Sequence, residues 1–324
     1  MSTATAGRVS LLELDPAAYE PHALHTGDRS YVETNCYTDI LIELIHARGD
    51  EPLAAMGFTV RTDFEGDQWT FFKPPANDLE LLFGIDLHEM QPYRPLADQI
   101  ADQIAHGRTL LVELDSFYLP DTVATSYRRE HVKTSVIAQA IDCTNQQLGY
   151  FHNTGLHELA DEDYRCALRV QGPSSDDVLP PYTELVRFDA GPRLQGEELR
   201  AGARGLLREH LARRPSSNPF DRFAEQLRAD LPGLLNGDAG AYHAYAFATV
   251  RMVGSAFEVT ASHVDWLLGV DGAPASAALR EVVEGAKVLS FRLARRRAFD
   301  PQPLLDTMAR RWRESMTMLD RAVS

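Results

Sequence analysis

The sequence predicts an α+β fold over residues 1–195 followed by a mainly helical part over 196–324. Three observations lead there. Strand-like apolar runs and helical apolar stripes alternate up to about residue 190. After Gly196 the strand signals stop and long helical periods take over. The chain has 324 residues, about twice the ~150 residues of a single domain.

Taken in order, residues 1–12 read as a loose lead-in rich in Ser, Thr, Ala and Gly. Tyr37–Ala47 carries Ile40, Leu41, Leu44 and Ile45 on one helical stripe, and Gly49 closes it. An apolar stretch, Leu53–Val60, leads to a dense polar and aromatic block over 63–75. Helices follow at Asn77–Phe83 and Pro95–His106. Thr109–Leu114 is a continuous apolar run of the buried-strand type. Asp115–Asp121 leaves it as a loop. Val132–Ile141 and Leu148–His152 read as a hairpin around the turn residues Asp142–Gln146. Cys166 falls in a helix. Segment 171–181 has loop composition and is a candidate boundary, and Thr183–Phe188 is one more strand. Helices are expected over Glu197–Arg213, Pro219–Asp230, Ala239–Leu268, Ala275–Arg297 and Pro301–Ala322. Pro215, Pro232, Gly269 and Pro301 are read as the breaks between them.

Composition excludes several classes. Hydrophobic residues are 44% and charged residues 24%, the proportions of a globular chain that needs no staple. The net charge of −15 argues against nucleic acid as a partner, because phosphate binding needs a basic surface. Three cysteines do not make a disulfide scaffold and suit a reducing cytosol. No run reaches the ~18–20 apolar residues of a membrane span, and the start carries no secretory pattern, so a cytoplasmic location is expected. GxxxxGK[ST], GxGxxG and GxSxG are missing, and no spacing suggests a metal site, so no bound cofactor is expected.

Cys36 is the most informative residue. It sits at the mouth of a predicted helix, where backbone N–H groups and the dipole favour a thiolate. His131 opens the first strand of the hairpin and Asn153 ends the second. A Cys at a helix start, a His on a strand and an Asn or Asp on the next antiparallel strand is the order of papain-like cysteine enzymes, in which the His takes the thiol proton and the third residue orients the ring. The register is imperfect: if Ile141 pairs with Leu148, Asn153 faces Val136. Asp142 and His152 are the alternative orienters. In the polar block, Asp67 or Glu65 would hold an amino group, Gln68 lies beside them, and Trp69 would cover it; a loop packing its aromatics on the core is the competing reading. Cys143 and Cys166 read as structural. From Arg292 to Arg313, seven Arg and two acids give a local net of +5.

The runs Asn35-Cys-Tyr-Thr-Asp39, Asp63–Lys73, Asp115–Thr122, His131-Val-Lys-Thr134 and Tyr150-Phe-His-Asn153 resemble a family of uncharacterised bacterial proteins encoded beside carrier proteins and amino-acid:carrier-protein ligases. More distantly, the region resembles the N-terminal domain of the butirosin-type aminoacyl transferases, which is C39-peptidase-like. The match covers Cys36, Asp115–Pro120 and His131. Those proteins usually have an Asp where this chain has Asn153. C39 peptidases place a Gln before the Cys; here Ser30 stands near that place, and Asn35 is the oxyanion candidate. The resemblance adds Asp115 and Tyr118 to the substrate-binding set. It also makes an acidic carrier protein the expected partner, docking at Arg296, Arg297 and Arg311.

The function implied is a cysteine-dependent acyltransferase. It would take an aminoacyl group from a carrier protein's phosphopantetheine thioester onto Cys36 and pass it to a small-molecule amine. A cysteine peptidase or thioesterase on the same fold, or a non-catalytic carrier-binding scaffold, are the alternatives.

Overall fold

The computed structural model describes residues 7–27, 29–172 and 178–324. The chain forms two compact units. The first gathers Met1–Thr26, Asn35–Pro52 and Leu79–Arg193, and the second Gly27–Thr34, Leu53–Asp78 and Leu194–Ser324. Residues 1–6 of the expected lead-in, and 173–177 of the candidate boundary, lie outside the described residues.

In chain order the strands and helices up to the second unit's helices are β1 (Val9–Ser10), α1 (Cys36–Ala47), α2 (Ala76–Phe83), β2 (Asp86–Glu89), α3 (Leu96–Ala105), β3 (Thr109–Asp115), β4 (Lys133–Asp142), β5 (Gln147–His152), β6 (Gly155–Ala160), α4 (Asp161–Ala167) and β7 (Thr183–Arg187). The strands make one sheet in the order β2-β7-β3-β4-β5-β6, with β1 on β4. Every pairing is antiparallel. Side chains alternate across a strand. Leu110, Val112, Leu114, Val136, Ala138 and Tyr150 accordingly form a core with Leu96, Ile100 and Ile104 of α3. Helix α1 packs against β4 and β5. Mixed helix and antiparallel sheet is thus the observed class of the first unit.

Helix α1 begins where it does because Asn35 is extended and its side-chain oxygen accepts from Thr38 N at 3.0 Å, a standard N-cap. It ends at Ala47, and Gly49 just beyond takes a φ of +78°, which suits a residue after a helix. Along its buried side Asp39 and Glu43 follow at helical spacing, and both are shielded from solvent. His25 lies between them: Nε2 is 3.2 Å from Asp39, and Nδ1 bonds Glu43. Glu43 also accepts from Tyr19 Oη and from the His22 backbone N–H. Burial opposes charge on the His25 ring, but the bonds to Asp39 and Glu43 outweigh it and push its pKa up to about 9.

The second unit holds α5 (Gly196–Ala212), α6 (Pro219–Asn236), α7 (Ala239–Ala246), α8 (Met252–Leu268), α9 (Ala273–Ala294) and α10 (Gln302–Val323). Two expectations are corrected here. Pro232 sits inside α6 rather than ending it, and a π-helical turn, Phe247–Arg251, separates α7 from α8 where one helix was expected. No helix among the described residues is long and apolar enough to cross a membrane.

Two stretches from before residue 195 group with the helices that follow it. Segments 27–34 and 53–78 belong with the helical unit. The reason is aromatic burial: Trp69, 1% exposed, packs on Phe64, Phe220 and Phe223 at ring separations of 5.7, 4.9 and 5.5 Å. A block so dense in polar residues reads as a loop in sequence, yet its rings supply part of this core.

The His25 cluster makes stability depend on pH. A pKa raised from about 6.5 to about 9 means the stabilisation is complete below about pH 6.5 and lost as pH rises through 9, an effect of order 3 kcal/mol. In denaturant titrations, His25→Ala should be several kcal/mol less stable than the wild type near pH 6. The gap should shrink by about pH 10. A gap unchanged across that range would show that His25 carries no buried charge.

Candidate active site

The site grows from the end of β3. Its apolar run stops at Asp115, which caps the following 3-10 turn, Ser116–Tyr118, by accepting from Phe117 N at 3.0 Å. The carboxylate's other oxygen lies 2.6 Å from Nδ1 of His131. The ladder explains the meeting: Asp115 pairs with Lys133 at the last step of β3 with β4, so the residues just before β4 return beside the residues just after β3. Phe117 stacks on the His131 ring at 4.3 Å and 12°, and Tyr118 meets it edge-on at 6.2 Å. Asp115 therefore fixes the ring with Nδ1–H donating and Nε2 left as a proton acceptor. His131 itself remains largely exposed.

Asp115 and His131 line a cavity of about 640 Å³ in the first unit, together with Glu113, Tyr118, Glu162, Arg165, Cys166 and Arg169. Burial first, then the neighbouring Cys166 and Asp115, push the Tyr118 hydroxyl above its ordinary range. Arg165 bonds Gln146 Oε1 at 2.7 Å and Arg169 bonds the Leu179 carbonyl at 2.6 Å. The cavity thus combines a positioned base, a thiol, two guanidinium groups and the carboxylates of Glu113 and Glu162. In the second unit a cavity of about 660 Å³ is lined by Tyr31, Glu33, His243, Phe247 and Arg251; it contains the Arg251–Glu33 ion pair and no cysteine.

Other predicted site residues fall elsewhere. Cys36 is the first residue of α1, half-buried, with its Sγ 3.8 Å from Ser135 Oγ. No hydrogen bond among the described residues joins it to His131, four residues back along β4's approach. Asn35 uses its side-chain oxygen to cap α1, so an oxyanion role is not what positions it. Ile141 does pair with Leu148, but a bulge between Ala138 and Ala140 shifts the register beyond it. Asn153 then lies in the β5–β6 turn at φ +46°, a left-handed conformation that Asn tolerates, and does not orient His131. Asp142 accepts from Thr144 N, Asn145 N and Asn145 Nδ2 and is a turn residue. His152 is buried, with Nδ1 2.5 Å from Asp121 and Nε2 2.7 Å from Thr134 Oγ1. Burial pushes the Asp121 carboxyl up, but His152 outweighs it and holds it below the usual range. With both nitrogens engaged and no access, that pair is structural, whereas His131 keeps one nitrogen free.

The polar block belongs to the second unit. Glu65 accepts from Thr70 Oγ1 and lines a separate cavity of about 490 Å³ within the second unit. Asp67 and Gln68 are exposed in a turn closed by Glu65 N–H on the Gln68 carbonyl, where Gly66 takes φ +107°. Trp69 is core, so it covers no substrate. Of the expected docking residues, Arg296 and Arg297 are exposed beyond the end of α9. Arg311 instead bonds Glu281 and Glu314, which raise its pKa and cancel its charge locally. Among the described residues no group of three or more His, Cys, Asp or Glu could hold a metal ion.

Two residues of this cavity carry another reading in the sequence: Asp115 is placed with the substrate rather than with His131, and Cys166 with structure. The available signal was Asp115 at the end of a buried strand and His131 at the start of the next, which an antiparallel pairing brings together. Nothing local marks Cys166.

A family model of the DUF1839 N-terminal domain matches residues 20–188, and one of the DUF1839 C-terminal domain matches residues 196–321. No curated protein matches the chain.

The Asp115 bond dictates a tautomer. Imidazole nitrogen shifts should report Nδ1–H for neutral His131, and Asp115→Ala should move it to the Nε2–H form. Finding Nε2–H already in the wild type would show that Asp115 does not hold the ring.

Proposed function

The chain belongs to the DUF1839 family, and we propose that it is an acyltransferase moving an aminoacyl group from a carrier protein's phosphopantetheine thioester to an amine. The observation that carries this is the His131–Asp115 pair: a ring held at Nδ1, free at Nε2 and opening on a cavity large enough for a small acyl group. In the transfer, the acceptor nitrogen attacks the thioester carbonyl and gives its proton to His131 Nε2. Asp115 stabilises the imidazolium. The C–S bond then breaks, and the pantetheine sulfur leaves with the proton from His131. Amide formation from a thioester runs downhill, which agrees with a sequence lacking a phosphate-binding loop.

The expected thioester on Cys36 is not part of this reading: Cys36 is not among the residues that line the His131 cavity, and its Sγ lies 3.8 Å from Ser135 Oγ. A papain-like relationship for the first unit is supported by α1 packing on β4 with a cysteine at its first position. For the partner, the reading is an acidic carrier protein guided by Arg296 and Arg297. Both are exposed and carry no ion pair among the described residues, and Arg295 stacks on the exposed Phe291 beside them. Opposite charge steers such docking.

The test uses glycyl and alanyl thioesters on a carrier protein, with hydroxylamine as the amine. Hydroxamate should form faster than in the protein-free control, and His131→Ala should slow it by ~10²–10⁴-fold. Release of free amino acid at the same rate with or without the amine would instead indicate a thioesterase. Carrier binding without any acyl loss would indicate a scaffold. Arg296→Glu with Arg297→Glu should raise the KM for the carrier in low salt and have little effect in high salt. An unchanged KM at low salt would move the docking site elsewhere.

A further inference from the structure

We propose that Cys166 is the nucleophile of the His131 cavity and carries the aminoacyl group as a thioester. This rests on the transferase reading above but replaces its single displacement by two, through a residue that neither the cysteine order in the sequence nor the resemblance picks out.

The placement of α4 argues for it. Tyr164 and Ala167 are buried, Tyr164 in the core that α3 shares with the sheet. Asp163 accepts from Tyr127 Oη at 2.8 Å and from Arg128 at 2.5 Å. With those residues turned inward or bonded, Cys166 is left half-buried on the side that lines the cavity. Its sulfur is a free thiol with no hydrogen-bond partner among the described residues. By contrast, Cys36 is engaged with Ser135, and Cys143 Sγ lies 3.8 Å from the Ala97 carbonyl.

Charged groups surround Cys166 on the cavity: Glu113 and Glu162 line it but are paired with Lys133 and Arg128. Arg165 and Arg169 flank it on the same cavity, and among the described residues neither pairs with a carboxylate. Cations beside a thiol stabilise its anion. The end of a helix works the other way, but α4 has only seven residues and the two guanidinium groups stand beside the thiol. His131 and Cys166 face the cavity from different elements, the approach to β4 and α4, and no hydrogen bond joins them. The acyl carbonyl enters between them. Such contacts tighten when substrate binds.

The chemistry balances without a further reactant. Cys166 S–H gives its proton to His131 Nε2, and the sulfur attacks the thioester carbonyl. The bond from that carbon to the pantetheine sulfur breaks, and the leaving thiol takes the proton from His131. The amine then attacks the Cys166 thioester, its proton passes through His131, and Cys166 leaves as the thiol.

Two measurements test this on the full chain. Acid-quenched intact mass after mixing with glycyl or alanyl thioesters of N-acetylcysteamine should show one added aminoacyl group. Peptide mapping should place it on Cys166. Cys166→Ala should abolish the adduct, Cys36→Ala and Cys143→Ala should keep it, and His131→Ala should slow its appearance by ~10²–10⁴-fold. Undiminished hydroxamate formation by Cys166→Ala, with no adduct on the wild type, would overturn the nucleophile and leave the transferase reading standing. If the wild type forms no hydroxamate, the transferase reading fails, and iodoacetamide decides the nucleophile separately. Near neutral pH, Cys166 should alkylate at least tenfold faster than Cys143, and the preference should fall in Arg165→Ala with Arg169→Ala. Equal rates for the two cysteines would overturn the assignment.

Discussion

The register of β3 on β4 is the constraint from which the site follows. Because the ladder ends with Asp115 opposite Lys133, the loop between the strands must leave and return at one place. That puts the carboxylate at a strand's end against the ring that precedes the next strand. The loop is itself well bonded: Thr122 Oγ1 donates to the Ser116 and Leu119 carbonyls, and Arg128 N–H donates to the Phe117 carbonyl. Asp115 then divides its two oxygens between a backbone N–H and the imidazole. A shift of one residue in that register would turn the facing side chains to the other side of the sheet and separate the pair.

A second constraint is the charge buried in the first unit. Asp39 and Glu43 lie on the inner side of α1, where two isolated carboxylates would be costly. His25 compensates them, and the Tyr19 and His22 donors complete the shell. The residues Tyr19–His25 are thereby tied to α1. The cluster explains why a helix so rich in Ile and Leu also carries two acids on its buried side. It also separates two histidine roles within one unit: His25 is enclosed by carboxylates and holds a charge, while His131 has one carboxylate and an open side that suits proton transfer.

The second unit shows how polar composition can conceal a core. Phe64 and Trp69 form an isolated bridge around an exposed acidic turn, and their rings lie among those of Phe220 and Phe223. Glu65 and Asp67 face solvent while Phe64, Trp69 and Phe72 of the same block are buried. A chain segment of this kind joins whichever unit buries its rings, regardless of its neighbours in sequence.

What the sequence determined by itself was local. The helix over Tyr37–Ala47, the buried runs of β3 and β4, the pairing of Ile141 with Leu148 and the helices after Gly196 all follow from periodicity and turn chemistry within short windows. β6 was not legible, because a tight turn at Asn153–Thr154 follows β5 directly and the strand's own pattern is weak. The identity of His131 as a site residue came from its position before β4. Its partner did not, because Asp115 and His131 meet across a loop, and only strand register decides which of Asp115, Asp142 or Asn153 arrives beside it. Cys36 had the stronger local signal, a helix start, and Cys166 had none. Tertiary packing set them apart: burial of Tyr164 and Ala167 orients α4, and that orientation places a thiol on the cavity of the histidine.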